Sequence, residues 1–188
     1  DALEFDFNDD SFTLPGTDIE MNFDKINIIP DDQAKLIDEE NKILLASADK
    51  NFKFSMKKSE SDGNYMVVNS EGYMGAYQFG NARLTDYKNA TGKNFTKKEF
   101  LENEELQDEV FNWHTKDIVT YVNNKGLDTY IGKEINGVLV TLNGLVAVAH
   151  LGGKSGMAKF LKTNGKYNPA DSNGTTLTDY LNKFKLTE

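Results

Sequence analysis

The sequence contains no cysteine, which excludes disulfide bonds, thiol catalysis and cysteine-ligated metals. Histidine is almost as scarce. The two histidines are His114 and His150, and no His-Glu-x-x-His pattern occurs, so a histidine-rich zinc centre is not expected. No apolar run approaches the roughly 18 residues that a membrane-spanning helix needs. The longest candidate, residues 138–151, is interrupted by polar residues and glycine. We therefore predict no metal, no cofactor and no membrane span.

The acidic excess is confined to the beginning of the chain. Residues 1–32 hold ten carboxylates and one base, Lys25, whereas residues 33–188 hold twenty of each, so the first segment accounts for the net charge of −9. A neutral body lacks the basic surface typical of nucleic-acid binding, so no nucleic-acid partner is expected. Pro15 and Pro30 interrupt regular structure in the first segment. Residues 1–32 are therefore predicted to be a partly disordered extension, or a segment that lies along the body or binds a protein partner.

Residues 33–188 are predicted to form one domain of the α+β class, mostly helical. Helical patterns cover residues 34–48, 49–60, 104–123, 141–151, 155–162 and 177–184. Residues 64–80 are rich in glycine, tyrosine, valine and asparagine, a composition typical of turns and short strands. Asn136-Gly137 is the signature of a two-residue hairpin turn. Short helices with a small β element are the expected outline.

Glu60 has an unusual position in the second of these helices. Phe52, Met56 and Glu60 share one face because they are spaced at i, i+4 and i+8. Asp62-Gly63 then ends the helix, since both residue types tolerate a left-handed backbone. A carboxylate there faces the negative end of the helix dipole and borders buried surface, and both effects favour its protonated form. On spacing alone, a solvated helix-end carboxylate is the simpler interpretation.

The segment after Glu60 favours a functional role for this carboxylate over a solvated helix-end position. An ordered set of residues extends from the end of the helix: Glu60, Ser61, Asn64, Gly72, Gly75 and Gln78. This pattern resembles the lytic transglycosylase and goose-type lysozyme superfamily, in which a helix ends in Glu-Ser and a turn leads to Gly-Ala-x-Gly-Leu-Met-Gln. Aromatic residues replace the commoner Ala, Leu and Met here, as in a branch of phage and secreted cell-wall lysins: Tyr73, Tyr77 and Phe79. The resemblance covers about residues 45–185.

The resemblance implies a lysozyme-like fold with a small β element beside an active-site cleft. It implies cleavage of the β-1,4 bond between N-acetylmuramic acid and N-acetylglucosamine in bacterial peptidoglycan, with Glu60 as general acid and then base. The residues expected to bind the glycan strand are Ser61, Ser70, Glu71, Gly72, Tyr73, Gly75, Tyr77, Gln78, His150 and Tyr180. Among them, Tyr180 matches a late-helix tyrosine that would hydrogen-bond Glu60. The implied location is the cell envelope (periplasm), the exterior, or a phage or secretion system.

One family motif is altered in this chain. The family has Ala-Tyr-Asn-Ala-Gly at the end of a central helix, whereas this chain has Ala149-His150-Leu151-Gly152-Gly153, with His150 in place of the tyrosine. Glu71 and Asp86 are candidate second carboxylates, and a surface acid is the simpler interpretation of each. His114 is expected to pack on the long helix. Residues 171–174 resemble the start of a calcium loop but lack its later ligands, so a turn is predicted.

Several functions remain open at this point. In transglycosylases the N-acetyl group of the muramic sugar stabilises the cation, and the sugar's own 6-hydroxyl group then attacks to give a 1,6-anhydro end. This is the predicted chemistry, and a hydrolysing muramidase is the alternative. A non-catalytic glycan-binding module is suggested by the altered motif. A structural component of an envelope-piercing machine is suggested by the acidic extension.

Overall fold

The computed structural model describes residues 11–13, 20–22 and 50–185, and the chain divides into two units, Asp1–Leu45 and Ala46–Glu188. In the first unit, strand β1 (Ser11–Thr13) pairs antiparallel with strand β2 (Glu20–Asn22). The rest of the acidic extension, its proposed partner-binding role, the domain boundary at residue 32 and the predicted helix 34–48 lie outside the described residues.

The second unit is mostly helical with a small antiparallel sheet, so the predicted α+β class is confirmed at this level. Its helices are α1 over residues 50–61, α2 (Asn81–Thr91), α3 (Lys97–Leu101), α4 (Glu104–Asn124), α5 (Leu142–Lys162) and α6 (Leu177–Phe184). A short 3-10 turn covers Asp128–Tyr130, and the sheet consists of β3 (Glu134–Ile135) and β4 (Val138–Leu139). Among the helices that the structure describes, none has an apolar stretch that would cross a bilayer.

Helix α5 lies at the centre of the second unit. The run Gly144–Ala149 is buried throughout, as its nearly all-apolar sequence predicts, and α5 packs against both α4 and α6. The predicted end of the first helical segment at Gly152-Gly153 is confirmed, because Gly153 has φ 71° and ψ 164° and leaves the helical conformation. A second helical segment then runs to Lys162, so α5 consists of two helices joined at a kink, and the helix predicted over 155–162 is the second of them.

Local signals set the ends of the other helices. Asn103 caps α4 by accepting a hydrogen bond from the Leu106 amide, and Val110, His114 and Ile118 form part of its buried face. Thr176 caps α6 in a capping box with Asp179, in which each side chain accepts a hydrogen bond from the other residue's backbone amide. The predicted bounds of α6 are confirmed, and those of α4 are correct to within one residue.

Two turns use the left-handed conformation that their sequences predict. Asn136 (φ 52°) and Gly137 (φ 75°) join β3 to β4, which confirms the predicted hairpin. Residues 64–80 form turns joined by isolated bridges, Val68 with Met74 and Met74 with Phe79. Met74 and Phe79 exchange backbone hydrogen bonds of 3.0 and 2.9 Å and thereby close a tight loop over the residues between them. We call residues 74–79 the site loop.

Candidate active site

Glu60 lies in the last turn of α1, just before the chain leaves the helix. Asp62 (φ 59°) and Gly63 (φ 81°) adopt the left-handed conformation there, so the helix ends where the sequence predicts. Phe52 and Met56, on the same face, are 1% and 0% exposed and anchor α1 in the core. Glu60 continues that face at its edge and is partly buried. Its carboxyl group is therefore held at a boundary between core and solvent.

Tyr180 fixes one oxygen of that carboxyl group. Its hydroxyl group donates a hydrogen bond of 2.6 Å to Oε1 of Glu60, and its side chain is only 7% exposed. Burial raises the pKa of Tyr180 above its usual value, and the negative charge of Glu60 acts in the same direction. The phenol therefore remains protonated and can act as donor. Within residues 50–185, Oε2 of Glu60 has no hydrogen-bond partner, so that oxygen is available to a substrate atom.

The site loop is attached to the end of α1. Ser61 donates a hydrogen bond of 2.8 Å from Oγ to the carbonyl oxygen of Ala76, which joins the residue after Glu60 to the loop. Within the loop, Gln78 has φ 52°, and its Nε2 donates to the Gly75 carbonyl oxygen at 2.9 Å. The loop is therefore fixed relative to Glu60 by a bond at its middle.

An open groove of about 570 Å³ lies along the outer side of the site loop. Five of the predicted binding residues line it: Glu71, Gly72, Tyr73, Gln78 and His150. The beginning of α2 and the part of α5 around Gly153 complete its walls. Tyr73 is 42% exposed, so its ring is accessible from the groove. Glu60 is not part of this lining, and its connection to the groove runs through the site loop and His150.

His150 connects the groove with the neighbourhood of Glu60. Its Nε2 lies 2.9 Å from the carbonyl oxygen of Tyr77, and its ring also lines the groove. Burial lowers the pKa of His150, although the charge of Glu60 and the Tyr77 carbonyl oppose that shift. The ring is therefore neutral near pH 7, and Glu60 is close enough to interact with it electrostatically. His150 is thus part of the same site as Glu60 and the site loop.

Three predicted substrate contacts have other positions. The side chain of Tyr77 is fully buried, its ring stacks on Phe111 at 4.2 Å, and its hydroxyl group donates to Asp108 at 2.7 Å. The prediction that this ring contacts sugar is therefore wrong, because periodicity does not show which side of a loop faces the core. Gly75 is buried against another side chain rather than in the groove. Ser70 is exposed in the preceding turn and does not line the groove.

Gln107 supports the site loop and was not predicted from the sequence. It is 0% exposed on α4, and its Oε1 accepts a hydrogen bond of 2.8 Å from the Ala76 amide. Its Nε2 donates to the carbonyl oxygens of Tyr65 and Phe100, each at 2.9 Å. A Cβ atom on Gly75 would lie 2.1 Å from Gln107 Oε1, which explains the need for glycine there. The contact joins residues 31 positions apart, and no local pattern indicates it.

The remaining acidic candidates lie at the groove or in a turn. Glu71 and Asp86 are exposed at the groove, and Asp86 forms an ion pair with Arg83 at 3.5 Å. Asp171 accepts hydrogen bonds from the amides of Asn173 and Thr175, so the predicted turn is confirmed. Within the described part of the chain, no three acidic or histidine side chains are grouped so that they would hold a metal ion.

Comparison with known proteins adds no assignment. No protein-family model matches the chain, and neither the curated proteins nor the solved structures provide a match. A functional assignment therefore depends on the residues themselves and on the geometry described above.

Proposed function

We propose that this protein cleaves the β-1,4 bond between N-acetylmuramic acid and N-acetylglucosamine in peptidoglycan, with Glu60 as general acid and base. The observation that carries the proposal is the setting of Glu60. The carboxyl group is partly buried, one oxygen is fixed by Tyr180, and the other has no partner within residues 50–185. A lysozyme-like fold of the second unit and action in the cell envelope or outside the cell belong to the same proposal.

The first chemical step is proton transfer from Glu60. The protonated carboxyl group gives its proton from Oε2 to the glycosidic oxygen, and the bond between that oxygen and C1 of the muramic sugar breaks. N-acetylglucosamine leaves with a 4-hydroxyl group. Tyr180 stabilises the carboxylate that remains, because a hydrogen bond to an ionised acceptor is stronger than one to a neutral acceptor. The 2-acetamido oxygen of the muramic sugar closes on C1 and holds the positive charge.

The second step returns the proton to Glu60. The carboxylate removes the proton from the 6-hydroxyl group of the same sugar, whose oxygen attacks C1 as the acetamido group leaves. The product is a 1,6-anhydro sugar, and no water is consumed. A single acid group suffices for both steps.

The groove supports a polymeric sugar ligand. Its volume of about 570 Å³ exceeds that of one sugar ring, and it is open to solvent. The exposed ring of Tyr73 offers a flat apolar face, and Gln78 offers an amide at the edge of the site loop. This combination of an aromatic face with a few polar groups is what glycan binding requires. The site loop, whose Gln78 lines the groove, is bonded at Ala76 to the residue after Glu60.

The test compares Glu60→Gln with Glu105→Gln. Both changes replace a carboxylate by an amide of equal size, and Glu105 is an exposed residue of α4 that does not line the groove. Release of soluble fragments from purified cell-wall sacculi is measured for both variants and the parent chain. We expect the first change to lower the rate by about 10²- to 10⁴-fold, the range for loss of a general acid or base, and the second to leave it within a few-fold.

Mass spectrometry of the fragments separates the two chemistries. Anhydro ends lack one water relative to reducing ends, so the proposed transglycosylase gives the lighter product. Reducing ends alone would indicate the muramidase. Circular dichroism and thermal unfolding of both variants establish that they fold. If the folded Glu60→Gln variant released fragments at the parent rate, the role of Glu60 would be refuted.

Binding without cleavage is the second candidate, and the altered motif at His150 favours it. That residue occupies the position of a family tyrosine, and its Nε2 is already hydrogen-bonded within the protein. Co-sedimentation of the parent chain with insoluble sacculi, with no soluble fragments released, would support this candidate over the enzyme. The structural role suggested by residues 1–32 stays a prediction, because that segment lies largely outside the described residues.

A further inference from the structure

Two histidines link three helices to the site loop in a continuous row of hydrogen bonds. Arg83 on α2 donates from Nε to Nδ1 of His114 on α4 at 2.7 Å. Nε2 of His114 lies 3.1 Å from Nδ1 of His150 on α5. Nε2 of His150 lies 2.9 Å from the carbonyl oxygen of Tyr77. We call the row from Arg83 through both imidazoles to that carbonyl the two-histidine bridge.

The two ends of the bridge fix its direction. A carbonyl oxygen only accepts hydrogen bonds, so His150 must carry its proton on Nε2. A guanidinium group only donates, so Nδ1 of His114 must be without a proton. If both rings are neutral, Nδ1 of His150 carries no proton and Nε2 of His114 carries one. These two atoms face each other, so His114 donates to His150 and every contact in the bridge is satisfied.

An additional proton on either imidazole would break one of the hydrogen bonds of the two-histidine bridge. A proton on Nδ1 of His150 would face the N–H group of His114, and a proton on Nδ1 of His114 would face the N–H group of Arg83. The ring of Phe79 packs edge-on against both imidazoles, with centroid distances of 5.3 and 5.6 Å. Either added proton would replace a hydrogen bond by a repulsive contact in a buried setting. Both rings are therefore held neutral, and neither ring nitrogen of His150 is available to take a proton from substrate.

Both ends of the bridge are anchored. Asp117 accepts hydrogen bonds from Arg83 at 2.5 Å and from Lys154 at 2.8 Å, which fixes the outer end between α2, α4 and α5. The inner end holds the peptide unit of Tyr77, the residue between Ala76 and Gln78. Ala76 is bonded to Ser61 beside Glu60, and Gln78 lines the groove. The bridge thus reaches the residue of the site loop that lies between the one bonded to Ser61 and the one that lines the groove.

We propose that His150 is a positioning residue that holds the site loop through the Tyr77 carbonyl, and that it takes no part in acid–base chemistry. The inference rests on the proposed function for its catalytic consequence. Its structural part, the direction and neutrality of the bridge, does not depend on any activity. The specific role of His114 is to fix the tautomer of His150 by donating to Nδ1.

The structural part is tested by nitrogen NMR of the intact chain. The chain has only these two histidines, so the spectrum contains two sets of ring-nitrogen signals. Long-range nitrogen–proton spectra are recorded from about pH 7.5 down to about pH 6, which spans the ordinary histidine pKa. We expect both rings to be Nε2–H tautomers and to stay neutral throughout. A ring protonated on Nδ1, in either the neutral or the cationic form, would overturn the bridge.

The catalytic part is tested by His150→Gln and His150→Ala. A glutamine amide can donate to the Tyr77 carbonyl oxygen and accept from His114, but it cannot titrate. We expect the glutamine variant to keep kcat within about tenfold with an unchanged pH profile, and the alanine variant to lose about 10²-fold in kcat, the cost of misplacing a reacting group. The positioning role would be overturned if the glutamine variant were as inactive as the alanine variant. It would also be overturned if the pH profile of the glutamine variant lacked one of the limbs seen in the parent chain. Failure of the proposed function would instead appear as an active Glu60→Gln variant.

Discussion

The hydroxyl group of Tyr180 donates a hydrogen bond of 2.6 Å to Oε1 of Glu60, although the two residues are 120 positions apart in the sequence. The first helix of the second unit and its last helix therefore meet at one carboxyl group. The phenol donates to this carboxyl group, and a hydrogen bond to an ionised acceptor is stronger than one to a neutral acceptor. The contact orients Oε2 as well, since the carboxyl plane is held by its other oxygen.

We expect Tyr180→Phe to lower kcat for sacculus cleavage by about 10- to 100-fold, the equivalent of one hydrogen bond to a charged group. The ring remains, so packing against Phe184 should be retained. Tyr167→Phe is the matched control, because the Tyr167 hydroxyl has no hydrogen-bond partner within residues 50–185. Steady-state rates and thermal unfolding are measured for both variants. Equal rates for the two would show that the Tyr180 hydroxyl has no catalytic role.

The glycine at the buried turn of the site loop should be more sensitive to substitution than a glycine of similar backbone angle elsewhere. Gly75 and Gly63 have φ +75° and +81°, but only Gly75 has a neighbour, Gln107, within 4 Å of an added Cβ. Gly63→Ala should cost about 1 kcal/mol of unfolding free energy from backbone strain alone. Gly75→Ala should cost roughly 3 kcal/mol or more, because it also displaces a buried hydrogen-bonding group. Urea unfolding measures the free energy of unfolding of both variants. Similar losses of stability would contradict a clash between the added Cβ atom and Gln107.

Gln107→Leu should destabilise the protein by about 1–3 kcal/mol, because it leaves the Ala76 amide buried without an acceptor. The carbonyl oxygens of Tyr65 and Phe100 also lose their donor. Asn112→Leu, on the exposed face of the same helix, is the control and should change stability by less than about 0.5 kcal/mol. Amide hydrogen exchange provides a local measurement, since the Ala76 amide should lose its protection in the first variant only. Retained protection would argue against this bond.

Folding stability should fall as the solution is acidified below about pH 6.5, the ordinary histidine pKa. Burial lowers the pKa of His114 well below that value, and Arg83, Lys154 and His150 act in the same direction. Burial also lowers the pKa of His150, against the opposing charge of Glu60. Between the lowered values and the ordinary one, the unfolded chain binds more protons than the folded chain, so stability decreases with falling pH.

The slope should approach about 1.4 kcal/mol per pH unit for each histidine. Urea unfolding between about pH 7.5 and pH 5.5 measures it while most carboxylates remain ionised. The double variant His114→Gln, His150→Gln removes both titrating groups and should lose the slope over this range. A parent chain whose stability is constant over the same interval would contradict the lowered pKa values.

The sequence predicted the elements whose ends are set by neighbouring residues. The bounds of α6 follow from Thr176 and Asp179, which lie three positions apart, and the hairpin follows from Asn136-Gly137. The break in α5 follows from Gly152-Gly153, since Gly153 adopts φ 71°, a left-handed value that glycine tolerates and a right-handed helix cannot include. The sequence therefore predicts the end of an element where the residues that form the cap or turn are close neighbours in the chain.

The site was predicted less completely, since its supporting contacts join distant segments. Glu60 with Tyr180 was expected only from the family pattern, not from spacing. Gln107 with Ala76 and Arg83 with His114 are each 31 residues apart, and nothing near them in the sequence marks them as partners. His114 was expected to pack on its helix, and it does lie on the buried face, but its hydrogen bonds depend on the folded arrangement of α2, α4 and α5.

The position of Tyr180 on α6 also has a consequence for synthesis. A ribosome makes the segment carrying Glu60 long before the segment carrying Tyr180, and the hydrogen bond between them forms only after α6 has emerged and docked. Under the proposed function, a nascent chain would hold an unoriented acid until α6 has been made and has docked. Wall-cutting capacity would then arise only once both segments have been translated, and a fragment that stops before α6 would lack it.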